Sequence, residues 1–236
     1  MNDRIKRASE RFNVIGEEQN GFRRDRRGED NIYVIREILD RHNKEKTPLY
    51  LAFLDIEKAY DRVNRETLVY ILEKIGFSQK ICNLIKSMYK KTKSKYIFGD
   101  IETDWVNLER GVRQGCVLSP LLFSFYTEEL AARVRESGLG ININGKKLSI
   151  LLYADDIVLI AENEGMLQEM LNIVSDYANE FSMSFSNSKC GVMEINKPEG
   201  GREEFILGNK EIKRVKQYNY LGVLFEEVGT GRAKSE

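Results

Sequence analysis

Two adjacent carboxylates set between apolar runs are the side chains best placed to do chemistry in this chain. Asp155 and Asp156 lie between Ser149-Ile150-Leu151-Leu152-Tyr153-Ala154 and Ile157-Val158-Leu159-Ile160. Each run has the length and β-branched content of a buried strand. The segment therefore predicts a hairpin with Ala154-Asp155-Asp156 at or near its tight turn. Desolvating an unpaired carboxylate costs several kcal/mol. A like charge ~4 Å away adds about 4 kcal/mol at an effective dielectric of ~20. A bound divalent cation offsets both, and hard oxygen ligands suit Mg²⁺. The plainer reading is a solvent-exposed turn, where Asp is common.

A second acid weakens the plainer reading. Asp55 ends the apolar run Leu49-Tyr50-Leu51-Ala52-Phe53-Leu54, and ligands in α/β proteins bind beyond strand ends of this kind. Two acid-bearing strands side by side make a two-metal site. Metals about 3.5–4 Å apart can activate an attacking hydroxyl and stabilise a leaving pyrophosphate in line. Tyr60, just beyond Asp55, would lie near any bound nucleotide. Arg23, in the basic loop Gln19-Asn20-Gly21-Phe22-Arg23-Arg24-Asp25-Arg26-Arg27-Gly28, could hold its phosphates. By composition alone that loop is a solvated charge run.

The elements that must position these residues follow from periodicity and caps. Asp30 or Asn31 is expected to cap a helix carrying Ile32, Ile35 and Leu39. Asn64 caps another, with Leu68, Ile71, Leu72 and Ile75 on one face and Gly76 past its end. Ser78 starts a third. Lys86, Lys90, Lys91, Lys93 and Lys95, interleaved with Tyr89 and Tyr96, suit a single-stranded or hybrid nucleic-acid backbone, or else form a solvated helix end. Tyr96 to Leu108 reads as a hairpin about Gly99-Asp100. Ser119-Pro120 opens a helix with Ser as N-cap. Asn144-Gly145 is a hairpin turn. A helix follows Ala161, then short strands around Phe185, Val192 and Ile195. Lys197 to Gly201 is the clearest loop or joint. Phe205 to Ile212 is a hairpin about Gly208-Asn209, and Tyr218 to Phe225 one more strand. Helices and strands alternate irregularly, which gives an α+β fold.

Composition narrows the field. A length of 236 residues suits one large domain or two small ones, and 42% hydrophobic residues support a sizeable core. The formal net charge is zero, so nucleic-acid binding must rest on local patches. Cys82, Cys116 and Cys190 are scattered, no CxxC occurs, and His42 is the sole histidine. This argues against zinc sites and disulfide frameworks, and for a reducing, intracellular setting, nucleus or cytoplasm. The charged N-terminus is unlike a signal peptide, and the longest apolar run is broken by Asp155 and Asp156. No membrane association is expected.

Three stretches resemble, in order, motifs of reverse transcriptases: Phe53-Leu54-Asp55-Ile56-Glu57-Lys58-Ala59-Tyr60-Asp61; Gly111-Val112-Arg113-Gln114-Gly115-Cys116-Val117-Leu118-Ser119-Pro120; and Tyr153-Ala154-Asp155-Asp156. Their wording is similar to the non-LTR, LINE-type retrotransposon enzymes. Gln19 to Arg23 resembles that family's fingers motif, Asn187-Ser188-Lys189 the motif after the active site, and Tyr220-Leu221-Gly222 the primer grip. The resemblance runs from about Gln19 onward.

It implies a right-hand polymerase. Partial fingers would occupy about 1–48 and 78–118. The palm, about 49–77 and 119–225, would be an antiparallel sheet backed by helices. The thumb would be missing, with 226–236 a truncated lead into it. Asp55 and Asp155 would be direct Mg²⁺ (or Mn²⁺) ligands, facing one another across adjacent strands, with the backbone carbonyl of Ile56 helping. Asp156 matches the third acid, although adjacent strand residues point to opposite faces. Tyr60 matches an aromatic gate against a ribose 2′-OH. Gln114 and Gly115 match the nucleotide pocket, and Lys189 a general acid. Arg23 is the better of several phosphate-binding candidates. Each has a plainer alternative: Tyr60 as core, Gln114 as a loop cap, Lys189 as a solvated charge.

The partners implied are an RNA template, a DNA or RNA primer and deoxynucleoside triphosphates. With no endonuclease preceding the domain and little following Phe225, the chain is expected to be a segment of a longer element-encoded protein. Two other functions compete. A palm-type nucleotidyl cyclase also uses two acids and metals, but has no templated base pair for the Gln114 loop to support. A decayed fragment would keep only nucleic-acid binding.

Overall fold

The structure, a computed structural model, describes residues 2–201 and 204–227 together with the backbone of 232–233. The chain begins with helices α1 (Asn2–Arg11) and α2 (Gly28–Glu45), then strand β1 (Leu49–Asp55) and helices α3 (Ala59–Arg62), α4 (Arg65–Ile75) and α5 (Gln79–Tyr89). Short strands β2 (Lys93–Ser94), β3 (Ile97–Phe98), β4 (Ile101–Glu102) and β5 (Val106–Asn107) make an outlying arm. Next come α6 (Ser119–Glu136), β6 (Ile141–Ile143), β7 (Lys146–Leu148), β8 (Ile150–Tyr153), β9 (Asp156–Ala161) and α7 (Glu164–Phe181). The remainder is β10 (Gly191–Ile195), β11 (Phe205–Leu207), β12 (Lys210–Ile212), β13 (Gln217–Tyr220), β14 (Val223–Glu226) and β15 (Arg232–Ala233). The rest of the expected lead into a thumb, 228–231 and 234–236, lies outside the described residues.

Four strands form the central sheet in the order β10-β1-β9-β8, all antiparallel. Alternation along β1 divides its side chains between two cores. Tyr50, Ala52 and Leu54 pack with Phe123, Leu130, Leu171 and Val174 of α6 and α7. Leu49, Leu51 and Phe53 pack with Ile35, Ile38 and Leu39 of α2 and with Tyr220 and Phe225. Covered on both faces, β1 is apolar at nearly every position, as a central strand must be. Burying each such Leu or Phe contributes about 1.5–3 kcal/mol. The outer edge of β8 is covered as well: Leu152 N–H donates to Glu18 O at 2.8 Å, and Asn20 N–H to Leu152 O at 2.9 Å. At Leu152, therefore, the edge is not left open.

Most caps fall where the sequence puts them. Asn64 Oδ1 accepts from Glu66 N and Thr67 N at 2.9 and 3.2 Å, and Gly76 closes α4 at φ 97°. Three local expectations are corrected. The cap of α2 is Arg27, not Asp30 or Asn31: Asp30 reaches back to Arg27 N–H at 2.8 Å as the third helical residue, and Asn31 is buried within the helix. Helix α6 is capped by Leu118, so Ser119 is already helical. Tyr218 to Phe225 is a hairpin rather than one strand. Leu221 and Gly222, at φ 49° and 79°, turn it between β13 and β14. A tight turn leaves the apolar alternation uninterrupted, so periodicity alone reads it as continuous.

Candidate active site

Strands β1 and β9 pair in a register that sets Asp55 opposite Asp156. Asp155 lies in the two-residue turn with Ala154, between Tyr153 and Asp156. The residue across the strands from Asp55 is therefore Asp156, not Asp155 as the sequence suggested. The turn takes Asp155 out of the ladder, so the argument from opposite strand faces does not apply to it. All three acids nevertheless converge on one end of the sheet, about a hundred positions apart in sequence.

Their electrostatics record the crowding. Burial, with Asp155 and Asp55 adding to it and Lys189 opposing, pushes the Asp156 carboxyl up to about 6. Burial also raises Asp155, with a smaller push from Asp55. The Lys189 ammonium sits 3.1 Å from Asp55 Oδ1; this hydrogen bond raises its own affinity for the proton. The loop before it makes the contact. Ser186 N–H donates to Asp55 O at 2.9 Å, and Lys189 N–H to Ser186 O at 3.2 Å. Tyr218 donates from its hydroxyl to Lys189 O at 2.7 Å while stacking on Phe53, centroids 4.2 Å apart. Ile56 is buried, bridged in the backbone to Phe185.

By type these donors fit a hard divalent cation: carboxylate oxygens whose mutual repulsion a cation would relieve, with an ammonium already standing on one of them. Among the described residues no three acid, histidine or cysteine side chains are drawn together as a ready-made cage.

Around the acids, Tyr60 stacks on Phe123 at 5.1 Å, and burial, with Asp155 second, pushes its hydroxyl up to about 12. The 111–116 loop lies beside it. Val112 N–H donates to Tyr60 O and Gly111 N–H to Val63 O, both at 2.8 Å. Gly111 is required there, since a Cβ would meet Asp61 backbone atoms at 3.0 Å. Arg65, which the sequence did not single out, fixes the loop by donating to Gly111 O and Arg110 O, each at 2.9 Å. Gln114 is exposed, its amide 3.4 Å from Asp61 Oδ1, and Gly115 is open at φ 79°.

Arg23 departs from expectation. Its side chain is only 6% exposed and its guanidinium is engaged by the Glu10 carboxylate at 3.1 Å and by Gly16 O at 2.6 Å. A phosphate could reach it only by displacing Glu10, so Arg23 pins α1 to the loop. At the other side of the site, Tyr220 is buried, its hydroxyl 3.0 Å from Asn31 Nδ2. Asn31 Nδ2 also donates to Leu152 O at 3.1 Å, so one buried amide joins the Tyr220 hairpin to the strand leading into the acids. Sequence offered Asn31 only as a possible cap and Tyr218 only as the start of a strand, because their partners are remote in the chain. Lys86, Lys90, Lys91 and Lys93 line a groove beside Arg65. Beyond it, Tyr96, Phe98 and Trp105 of the arm are exposed.

The fold is that of solved telomerase structures. Telomerase from Candida tropicalis superposes with a TM-score of 0.66 at 16% identity, over 98% of this chain and 39% of that one. Residues 1–225 match the reverse transcriptase (RNA-dependent DNA polymerase) family, and the chain belongs to it. The relatives in sequence are proteins of non-LTR retrotransposons. A Pol polyprotein of the R2 element of Nasonia vitripennis is 30% identical over 216 residues, 87% of this chain and 21% of the relative. The RNA-directed DNA polymerase of the jockey element of Drosophila funebris is 27% identical over 236 residues, 98% of this chain and 25% of the relative. The chain thus spans between a fifth and a quarter of those relatives' length.

Proposed function

We propose that this chain is the catalytic core of an element-encoded reverse transcriptase that extends a DNA or RNA primer along an RNA template with deoxynucleoside triphosphates. The observation that carries the reading is the convergence of Asp55, Asp155 and Asp156 on one sheet end with Lys189 against them. Residues 1–48 and 78–118 serve as fingers, and 49–77 with 119–225 as palm.

Asp55 and Asp155, with Asp156 and the Ile56 carbonyl beside them, would hold divalent cations, Mg²⁺ by preference. Cations held by these residues would supply Lewis-acid chemistry, lowering the pKa of the primer hydroxyl and neutralising the departing pyrophosphate. Lys189 carries a proton on Nζ at the leaving-group side. Tyr60, backed by Phe123 and so unable to retreat, screens the sugar's 2′ position. Gln114 and Gly115 line the nucleotide pocket, and in the Tyr220-Leu221-Gly222 primer grip the buried Tyr220 anchors the hairpin while its tip, Leu221-Gly222, meets the primer. The Lys86–Lys93 groove and the exposed arm aromatics suit a nucleic-acid backbone and its bases. Three free thiols suit a reducing compartment, nucleus or cytoplasm. No helix among the described residues is long and apolar enough to cross a membrane.

Primer extension on RNA in Mg²⁺ tests this. Asp55→Asn and Asp155→Asn should each lower kcat by about 100- to 1000-fold or more, the scale of losing a charge-stabilising group, with unfolding midpoints unchanged or raised. Near-native extension by either variant would refute the assignment. RNA retention without extension, both by this chain and by a longer one carrying a thumb, would reduce its function to binding.

A further inference from the structure

The segment Glu18–Gly21 takes no part in the chemistry above, yet it grips the turn that carries Asp155. Gln19 is 1% exposed. Its Oε1 accepts from Ala154 N–H at 3.0 Å and from Gly21 N–H at 2.8 Å. Its Nε2 donates to Ala154 O and to Thr127 Oγ1, each at 3.4 Å. One side-chain amide thus holds both backbone groups of a single turn residue and leaves none of its own polar atoms unpaired.

The grip is anchored and tight. Thr127 Oγ1 is itself bonded to Phe123 O and Ser124 O, at 3.2 and 3.3 Å, so the clamp rests on α6. Gly21 presses so closely that a Cβ would fall 2.3 Å from Ala154 N. Ala154 sits at φ 58°, a conformation an L-residue adopts at a cost and keeps only where its surroundings over-determine it. The three acids repel one another and would otherwise spread.

We propose that Gln19 is the positioning residue of the catalytic turn: by clamping Ala154 it fixes the adjoining Asp155 relative to Asp55. The catalytic consequence rests on the polymerase reading; the clamp itself does not. Catalytic groups displaced by about 1 Å cost on the order of 100-fold in rate.

The test replaces the amide by an isosteric thioether, Gln19→Met, and follows amide hydrogen exchange in the metal-free chain. Exchange at residues 153–156 should rise about tenfold, the scale of one or two lost hydrogen bonds. Protection in β1 and α6 should not change. In primer extension kcat should fall about 10- to 100-fold with KM for the nucleotide within about twofold. Should Gln19→Met fail to fold, Thr127→Val removes only the hydroxyl that anchors the clamp to α6 and introduces no charge. It is expected to raise local exchange by a smaller factor, about threefold. Unchanged exchange at Ala154, a uniform loss of protection across β1 and α6, or a normal kcat despite faster local exchange would each overturn the proposal. A wild-type chain that does not extend the primer counts against the polymerase reading alone, and exchange still decides the clamp.

Discussion

The Ala154-Asp155 turn joins β8 to β9 and the Gly99-Asp100 turn joins β3 to β4, with the first turn residue at φ 58° in both. Locally the two hairpins are alike: two residues, a left-handed step, then an aspartate. Their surroundings are opposite. Ile157 and Leu152 flank the first turn and are almost wholly buried, and Gln19 closes over it. Ile97, Phe98 and Ile101 flank the second and are exposed, Phe98 at 85%. A Cβ at Gly99 would meet nothing within 4 Å. The arm needs glycine because nothing compensates a strained residue there. The acid-bearing turn tolerates alanine because the fold holds it in place. Conformation at the acid-bearing turn is thus imposed by tertiary contacts, whereas the arm relies on its own sequence.

Core truncation should separate the two hairpins most widely. Ile157→Ala or Leu152→Ala is expected to cost about 2–5 kcal/mol in denaturant unfolding. Ile97→Ala or Ile101→Ala should stay within about 0.5 kcal/mol. An equally large loss in the arm would mean that it packs against something in solution, and the contrast would fail.

The next effect concerns charge. Asp156 titrates near 6 in the fold against an ordinary value of 3.8. Its folded pKa is raised, so its contribution to stability is complete below the ordinary value and is lost as pH rises through about 6. In metal-free protein Asp156→Asn should therefore raise Tm at pH 7 to 8. About 2–4 °C is expected for each kcal/mol recovered in a chain of this size. The gain should disappear near pH 3.8. A Tm difference independent of pH would show that the carboxylates are not crowded.

The smallest effects sharpen the comparison at the turns themselves. Gly99→Ala should lose about 1 kcal/mol, the cost of a Cβ at positive φ. Ala154→Gly should change stability by less than about 0.5 kcal/mol, because relief of the same strain is offset by a lost buried methyl worth about 0.8 kcal/mol. A large penalty at Ala154 would show that its methyl, not the Gln19 clamp, fixes the turn.

Reading the chain alone locates the strands around Asp55 and the acid pair, the helix capped by Asn64, the helix after Ala161, and the glycine turns. Each is written in a few neighbouring residues: an apolar run, a cap, a positive φ. The family motifs likewise stand in short contiguous stretches, which is why Tyr60, Gln114 and Lys189 could be named. What depended on the folded chain was which acid stands across from Asp55, that Arg23 is spent on Glu10, and that Tyr218 to Phe225 doubles back. Gln19 and Asn31 as braces of the acid-bearing strand belong to the same group. A one-residue change of register exchanges the faces of a strand, and a buried amide or guanidinium is defined by partners distant in the chain. Spacing in sequence carries neither; only closure of the sheet against its two cores decides them.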